Sequence, residues 1–112
     1  MHIHKSGIAV ALALTFGVLS PAHAQDNAPR SGQAVYEAAC SKCHSGGIGG
    51  FFSGAPAVGD KTDWQPLLPK GLDGLTATTL SGIGKMVARG GCDTCTDAEI
   101  RAAVGYMLDK SK

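Results

Sequence analysis

Aromatic and charged residues are scarce in this sequence, whereas glycine is abundant. Only 5% of the 112 residues are aromatic and 17% are charged, while glycine occurs 16 times. A short chain with few large side chains buries little apolar surface, and such domains usually depend on a disulfide, a metal or an apolar cofactor. The composition therefore predicts that a group other than side chains fills part of the core.

The sequence has no excess of charge of either sign. Ten lysines and arginines stand against nine aspartates and glutamates, and loss of Lys5 with the leader described below makes the remainder neutral. The basic stripe with interleaved aromatic residues that is typical of nucleic-acid binding is also missing. We therefore expect no nucleic-acid partner, and we expect partner recognition to be local rather than driven by net charge.

Regular alternation of polar and apolar residues is missing too, so the sequence predicts neither strands nor internal repeats. Ser31 is suited to cap a first helix that reaches His44. Thr96 and Glu99 form a capping box, which begins a last helix from Asp97 to about Lys110. The apolar face of this last helix consists of Ile100, Ala103, Val104, Met107 and Leu108.

Glycine divides the chain between these two helices. Residues 45–60 and 83–95 contain too many glycines for the interior of an element, and both are predicted to be loops. Short helices are predicted from Asp63 to Lys70 and from Leu72 to Ser81. The predicted fold class is all-α.

The first 24 residues have the pattern of a secretory signal peptide. Lys5 precedes a twelve-residue apolar stretch, Ile8 to Leu19, and small residues end the segment at Ala24. A membrane-spanning helix needs roughly 20 residues, so an uncleaved anchor is the weaker alternative. We expect cleavage after Ala24, export to the periplasm, and one mature domain over residues 25–112 that does not span the membrane.

Cys40-Ser41-Lys42-Cys43-His44 is the C-x-x-C-H pattern of covalent haem attachment. On a helix, Cys40, Cys43 and His44 face the same side. The two thiols can then add to the two vinyl groups of one porphyrin while the imidazole binds its iron. The sequence predicts one haem c, attached through Cys40 and Cys43 and ligated by His44.

Two other uses of the cysteines compete with haem attachment. A thioredoxin-like pair expects a βαβ setting, of which the sequence has no sign. The Cys40/Cys43 and Cys92/Cys95 pairs could instead form a Cys₄ zinc site, but 48 residues separate them and an oxidising compartment disfavours four thiolates. Once haem is attached, Cys92 and Cys95 are the only cysteines left, and the oxidising location predicts a disulfide between them.

Elimination narrows the choice of a sixth iron ligand. Every histidine except His44 lies in the predicted signal peptide, so a second histidine ligand is excluded in the mature chain. The soft donors that remain are Met86, in a glycine-flanked loop, and Met107, on the apolar face of the last helix. Core packing is the usual role of a methionine such as Met107. The residues by themselves leave the choice open.

These features resemble the class I c-type cytochromes, and within them the cytochrome c5 subfamily. The Gly-Gly-Cys-x-x-Cys segment at residues 90–95, directly before the last helix, is the most specific of the matching motifs. The other matching pieces are Gly32-x-x-x-Tyr36, the C-x-x-C-H motif, Gly54-Ala55-Pro56, Val58-Gly59-Asp60, Trp64, Leu80 to Gly84, Met86, and Ala103 to Met107.

The resemblance implies a cytochrome c fold, with three to five helices around one covalently bound haem. It implies that Met86 is the sixth ligand, and that the carbonyl of Pro56 accepts a hydrogen bond from Nδ1–H of His44. Trp64 is expected at the haem edge or packed in the core. The residues expected where the first and last helices cross are Gly32, Tyr36 and Tyr106.

The sequence departs from the family directly after Met86. Prolines are common there in the family, whereas this chain has Val87-Ala88-Arg89. Loss of proline predicts a less rigid loop, and this bears on how firmly Met86 is held at the iron.

The function that the resemblance implies is one-electron transfer in the periplasm, without turnover of a substrate. The expected partners are membrane respiratory complexes, such as a quinol-oxidising complex and a terminal oxidase, which would dock at the haem edge near Lys42 and Lys85. A haem enzyme or gas sensor, in which Met86 is a labile ligand, is the alternative. The sequence offers no distal histidine or arginine beyond surface positions to activate oxygen or peroxide, which disfavours that alternative.

Overall fold

The computed structural model describes residues 28–112 and, separately, Gly17. The predicted signal peptide therefore lies outside the described residues, apart from that one glycine. Residues 28–112 form helices and connecting turns. The β-type pairing within these residues is limited to one isolated bridge between Ile83 and Met86. The all-α prediction is confirmed. Among the helices of residues 28–112, none has both the length and the apolar character needed to cross a membrane.

Helix α1, residues 32–44, changes its winding twice. It consists of an α-helical turn Gly32–Val35, a π-helical turn Tyr36–Cys40 and a second α-helical turn Ser41–His44. The side chain of Ser31 accepts a hydrogen bond from the N–H of Ala34 at 3.1 Å, so the predicted N-cap is confirmed. The wide π turn ends at Cys40, and such turns are frequent at functional sites.

Helix α2 covers Gly47–Ser53, where the sequence predicted a loop. That prediction was wrong because it weighed only the low helix propensity of glycine. A Cβ atom at Gly49 would collide with the carbonyl oxygen of Lys42, and one at Gly50 would lie 3.3 Å from that of Cys43. Glycine is therefore what allows α2 to pack directly against the end of α1.

Two further helices follow without a long break. Helix α3, residues 61–70, is α-helical over Lys61–Trp64 and 3₁₀-helical over Gln65–Lys70, and α4 covers Gly71–Ser81. The carboxylate of Asp60 accepts hydrogen bonds from the N–H groups of Thr62 and Asp63 at 2.9 and 3.1 Å. Because Asp60 provides this cap, α3 begins two residues earlier than predicted.

Residues 82–96 form a turn and a loop, as predicted. The N–H and carbonyl groups of Ile83 and Met86 bond to each other at 2.9 Å in both directions. A 3₁₀ turn over Ala88–Gly91 follows. Met86 thus lies at the end of a closed turn rather than in an extended segment.

Helix α5, Asp97–Ser111, begins with the predicted capping box. The hydroxyl of Thr96 accepts from the N–H of Glu99 at 3.2 Å, and the carboxylate of Glu99 accepts from the N–H of Thr96 at 2.9 Å. The whole predicted apolar face is buried in the core, namely Ile100, Ala103, Val104, Met107 and Leu108.

Helices α1 and α5 cross at Gly32. A Cβ atom there would collide with the carbonyl of Ala102, so a larger residue would force the two helices apart. The rings of Tyr36 and Tyr106 pack beside the crossing with their centroids 5.3 Å apart. The crossing expected for these residues is confirmed.

Candidate functional site

A cavity of about 430 Å³ lies between α1, α3, α4, α5 and the loop before α5. Volumes of about 300–1,000 Å³ are typical of sites for small molecules and cofactors. Much of the wall is apolar and buried, as at Leu75, Ile100 and Val104. Five of the predicted site residues line this one cavity, namely Cys40, Cys43, His44, Pro56 and Met86.

Cys40 and Cys43 both carry free thiols and lie one turn apart on α1. Cys43 is exposed and Cys40 is half-buried, so this wall of the cavity reaches the surface. Burial raises the pKa of the Cys40 thiol above its usual range. A thiol with a raised pKa is unlike the reactive cysteine of a thioredoxin-type redox pair, whose pKa is lowered.

Cys92 and Cys95 lie apart from the cavity lining and are joined by a disulfide, with their Cα atoms 5.4 Å apart. The small ring that they close precedes Thr96, the N-cap of α5. In residues 28–112, no three or more His, Cys, Asp or Glu side chains are grouped so that they could hold a metal ion. The structure therefore gives no support to a Cys₄ zinc site built from the two cysteine pairs.

The imidazole of His44 is held by the loop that follows α2. Its Nδ1 lies 2.9 Å from the carbonyl oxygen of Pro56. Since a carbonyl can only accept, Nδ1 carries the proton and the lone pair is left on Nε2. The carbonyl of His44 also accepts from the N–H of Val58 at 2.7 Å. This is the contact that the resemblance implies for Pro56, and it prepares Nε2 to bind a metal.

The loop that carries Pro56 is held by a hydrogen bond from Trp64. The indole N–H of this buried residue donates to the carbonyl of Ala57 at 2.8 Å, and the ring lines the cavity. The sequence left Trp64 either at the haem edge or in the core. The structure shows it buried and lining the cavity, bonded to a partner that the sequence did not indicate. Sequence reasoning also missed Ser111, whose hydroxyl accepts from the N–H of Gly59 at 2.9 Å. No local pattern could have indicated these bonds, since they join segments that meet only in the fold.

Both candidate methionines line the cavity. Met107 is 6% exposed and belongs to the core on α5, whereas Met86 is half-buried in the turn after α4. Ile83, Lys85 and Val87, which surround Met86 in sequence, are exposed and also border the cavity. Met86 therefore lies where the cavity meets the surface, and Met107 lies deeper inside.

The donor set fits a haem. A porphyrin needs a largely apolar space, two thiols close enough to bond to it and an imidazole with a free nitrogen, and these meet at one cavity. The wall also includes two thioethers, those of Met86 and Met107. No other group considered from the sequence uses all of these residues together.

Comparisons with known proteins agree with this fit. Residues 27–107 match the family model described as "Cytochrome C oxidase, cbb3-type, subunit III". Cytochrome c-555 of Chlorobaculum thiosulfatiphilum is 41% identical over 73% of this chain and 95% of its own length. Cytochrome c5 of Azotobacter vinelandii is 41% identical over 70% of this chain and 92% of its own length.

Solved structures give the same result. A cytochrome c crystallised in an electron-transfer complex with nitrite reductase is 43% identical and superposes with a TM-score of 0.65, over 72% of this chain and 94% of that one. A mono-haem ferrocytochrome c from Shewanella putrefaciens is 37% identical, with a TM-score of 0.60 over 74% of this chain and 96% of that one. This chain therefore belongs to the c-type cytochrome family that the matched model describes, among the class I monohaem cytochromes related to cytochrome c5 and cytochrome c-555, and it is an electron carrier whose cofactor is one covalently bound haem c.

Proposed function

We propose that this chain is exported to the periplasm and carries single electrons between respiratory redox proteins. Haem c supplies one iron that alternates between the ferric and ferrous states. The observation that carries the proposal is the meeting of Cys40, Cys43, His44 and Met86 at one largely apolar cavity. The predicted signal peptide supports export. Covalent attachment of haem supports it too, because a carrier outside the cytoplasm must not lose its cofactor.

Cys40 and Cys43 are proposed to form two thioether bonds. Each sulfur would bond to a vinyl carbon of the haem and the S–H hydrogen would go to the neighbouring carbon, so the attachment would need no oxidant. His44 provides Nε2 as the fifth ligand, while Pro56 keeps the proton on Nδ1. The bond from Nδ1 to Pro56 fixes the direction of the ring before any metal binds, and the bond from Val58 to the backbone carbonyl of His44 holds the loop beside it.

Met86 is proposed as the sixth ligand in preference to Met107. Its turn borders the cavity opening, and the family resemblance assigns the ligand to this position. Met107 packs among the core residues of α5, such as Ile100 and Val104, and its carbonyl accepts from the hydroxyl of Ser111 at 2.8 Å. A thioether favours the ferrous state and raises the reduction potential relative to a nitrogen ligand.

The proposed docking face is an apolar rim beside the Met86 turn. Large exposed apolar side chains rarely cluster on a monomeric protein without a binding role. The ammonium of Lys85 donates to the carbonyl of Phe52 at 3.1 Å, which places the Met86 turn next to α2. The apolar rim consists of Ile48, Phe51, Phe52, Ile83 and Val87, which are 57–82% exposed.

The partners proposed for this rim are redox proteins of a respiratory chain. A quinol-oxidising complex would donate the electron and a terminal oxidase would accept it. Because one structural neighbour was crystallised with nitrite reductase, a nitrite reductase is a further class of acceptor. The ammonium of Lys85 keeps its positive charge while it donates to Phe52, so the apolar rim has a positive charge at its edge.

The decisive experiment is an intact mass and an absorption spectrum of protein purified from the periplasm. The mass should equal residues 25–112 plus one haem, and the oxidised and reduced spectra should be those of a six-coordinate haem c. Cys40→Ser and Cys43→Ser should each impair maturation. A mature wild-type protein without haem would end the proposal, and a mass starting at another residue would correct the cleavage site.

A further inference from the structure

The loop after Met86 contains the one non-glycine residue with a positive φ angle among those that the structure describes. Arg89 has φ 61° and ψ 16°, and Gly90 and Gly91 continue with φ 60° and 78°. Residues with a Cβ atom are disfavoured in this left-handed region, so surrounding contacts must hold Arg89 there. An outlier of this kind points to a backbone that is positioned for a function.

The side chain of Arg89 supplies such contacts. Its Nη1 donates to Oδ1 of Asp97, the first residue of α5, at 2.8 Å, and its Nη2 donates to the carbonyl of Cys95. The carbonyl of Arg89 accepts from the N–H of Cys92 at 3.1 Å. One residue thus connects the Met86 loop to both ends of the disulfide ring and to the start of α5.

Only two residues separate Met86 from Arg89, and the backbone between them is held closely. A Cβ atom at Gly82 would lie 2.8 Å from the carbonyl oxygen of Met86 and from the nitrogen of Ala88. The N–H of Gly90 donates to the carbonyl of Val87 at 3.1 Å. Because these contacts hold the stretch closely, we expect a displacement at Arg89 to be transmitted to Met86.

We propose that Arg89 is a positioning residue for Met86. By fastening the downstream end of the loop to α5 and to the disulfide ring, it holds the Met86 thioether at the cavity and opposes its release. The loop has no proline to restrict its backbone, and Arg89 provides that restriction through its side chain. This inference rests on the proposed ligation by Met86.

The test replaces Arg89 with asparagine in the haem-loaded protein. Asparagine tolerates the left-handed conformation but is too short to reach Asp97 and Cys95. The readouts are the temperature at which the far-red sulfur-to-iron band is lost, the rate at which cyanide binds the ferric protein, and the unfolding midpoint from far-ultraviolet circular dichroism. Arg101→Asn is the matched control, because Arg101 forms an arginine–carboxylate pair with Asp73 away from the loop.

We expect Arg89→Asn to lose the band at a lower temperature, with a smaller shift of the unfolding midpoint. Cyanide should bind about 5- to 30-fold faster, since loss of an exposed ion pair and a hydrogen bond increases the open population by that factor. Arg89→Lys, which retains the charge facing Asp97, should fall between Arg89→Asn and the wild type. Arg101→Asn should bind cyanide at the wild-type rate.

The outcomes separate this inference from the proposed function. A wild-type protein without the far-red band would overturn ligation by Met86, and the inference with it. A wild-type protein with the band, together with an Arg89→Asn variant that matches Arg101→Asn, would overturn only the positioning role. If Arg89→Asn lowers the temperature of band loss and the unfolding midpoint by the same amount, Arg89 supports only the overall fold. That result would also overturn the positioning role. Should Arg89→Asn fail to accumulate, a wild-type cyanide rate in Arg89→Lys would overturn the positioning role.

Discussion

Arg30 makes two side-chain hydrogen bonds to Glu99, one to each oxygen of its carboxylate, both at 3.0 Å. Its backbone N–H donates a third at 2.8 Å, and the N–H of Thr96 donates a fourth at 2.9 Å. These donors, above all the guanidinium of Arg30, lower the pKa of Glu99 from 4.5 to about 2. The pair joins the segment before α1 to the first turn of α5.

The first prediction concerns the acid stability that this pair provides. Because the pKa of Glu99 is lower in the folded protein, the stabilisation is fully present above about pH 4.5 and is lost as the pH falls towards 2. Glu99→Gln should reduce stability at pH 7 and flatten the dependence of stability on pH in this window. Denaturant unfolding of both proteins from pH 2 to 7 measures the difference.

Asp109→Asn is the control for this prediction. Asp109 pairs with Lys112 on the surface at 2.7 Å and is 73% exposed. Asp109→Asn therefore removes an exposed ion pair, which contributes little to stability. The stability of this variant should depend on pH nearly as that of the wild type does. Parallel curves for the wild type and Glu99→Gln would contradict the role assigned to Glu99.

The second prediction separates the two methionines. Met86→Ala should abolish the far-red band of the ferric protein and open the iron to cyanide and carbon monoxide, while the fold is retained. Met107→Ala should keep the band but lower the free energy of unfolding by about 2–5 kcal/mol, since a buried side chain is removed. Absorption spectra and denaturant unfolding of both variants check this.

The reverse pattern, with the band lost only in Met107→Ala, would make Met107 the ligand. A wild-type protein that binds carbon monoxide at once would instead favour the haem enzyme or gas sensor. In that case the thioether of Met86 would be a labile ligand, as the missing prolines suggest.

The third prediction concerns the disulfide. The double variant Cys92→Ser/Cys95→Ser should still bind haem, because both sulfurs lie apart from the cavity lining. A ring this short contributes only about 2 kcal/mol in the chain-entropy model. If the ring braces the Met86 loop, the far-red band should disappear at a lower temperature than in the wild type.

Thiol titration of freshly isolated, unfolded protein tests the premise that the bond forms. Two free thiols would remove it. An unchanged temperature of band loss in the double variant would show that the disulfide closes without supporting the loop. The Arg89 contacts would then be the main support.

The fourth prediction concerns the apolar rim. Phe51→Ser/Phe52→Ser should slow the bimolecular electron transfer to a purified nitrite reductase or to oxidase-containing membranes by about tenfold or more, because truncated aromatic side chains at interfaces commonly cost over 1 kcal/mol each. Reduction by ascorbate should be unaffected. Stopped-flow absorbance measures both rates.

Leu68→Ser is the control for the rim. Leu68 is also exposed, at 36%, but it lies in the 3₁₀ segment of α3 and is not part of the apolar rim. Its variant should transfer electrons at the wild-type rate. Equal slowing in the two variants would mean that general surface hydrophobicity, rather than the rim, determines docking.

Local patterns in the sequence predicted the elements that depend on neighbouring residues. Thr96 and Glu99 of the capping box are three residues apart, and the apolar residues of α5 recur at helical spacing. The C-x-x-C-H motif is contiguous. Each could be recognised without knowledge of what packs against it. The same holds for Ser31, whose cap involves the adjacent turn.

Features that depend on distant residues could not be predicted in this way. Helix α2 is rich in glycine, so its sequence predicts a loop. Only the fold shows that the backbone of Lys42 lies against Gly49. Arg30 and Glu99 are 69 residues apart, so the capping role of Glu99 was visible but its ion pair was not. The left-handed conformation of Arg89 is equally invisible, since nothing in an Arg-Gly-Gly segment indicates which residue adopts it.

The two attachments of His44 bear on how fast an electron can move. The imidazole of His44 is held through Nδ1, and the backbone carbonyl of this residue is held by Val58. We therefore expect the proposed ligand to keep one orientation in both oxidation states. Few nuclei then need to shift when charge arrives or leaves, and the reorganisation energy of the exchange stays small. The distance between the two redox centres in an encounter, rather than the rearrangement of this site, would then set the rate.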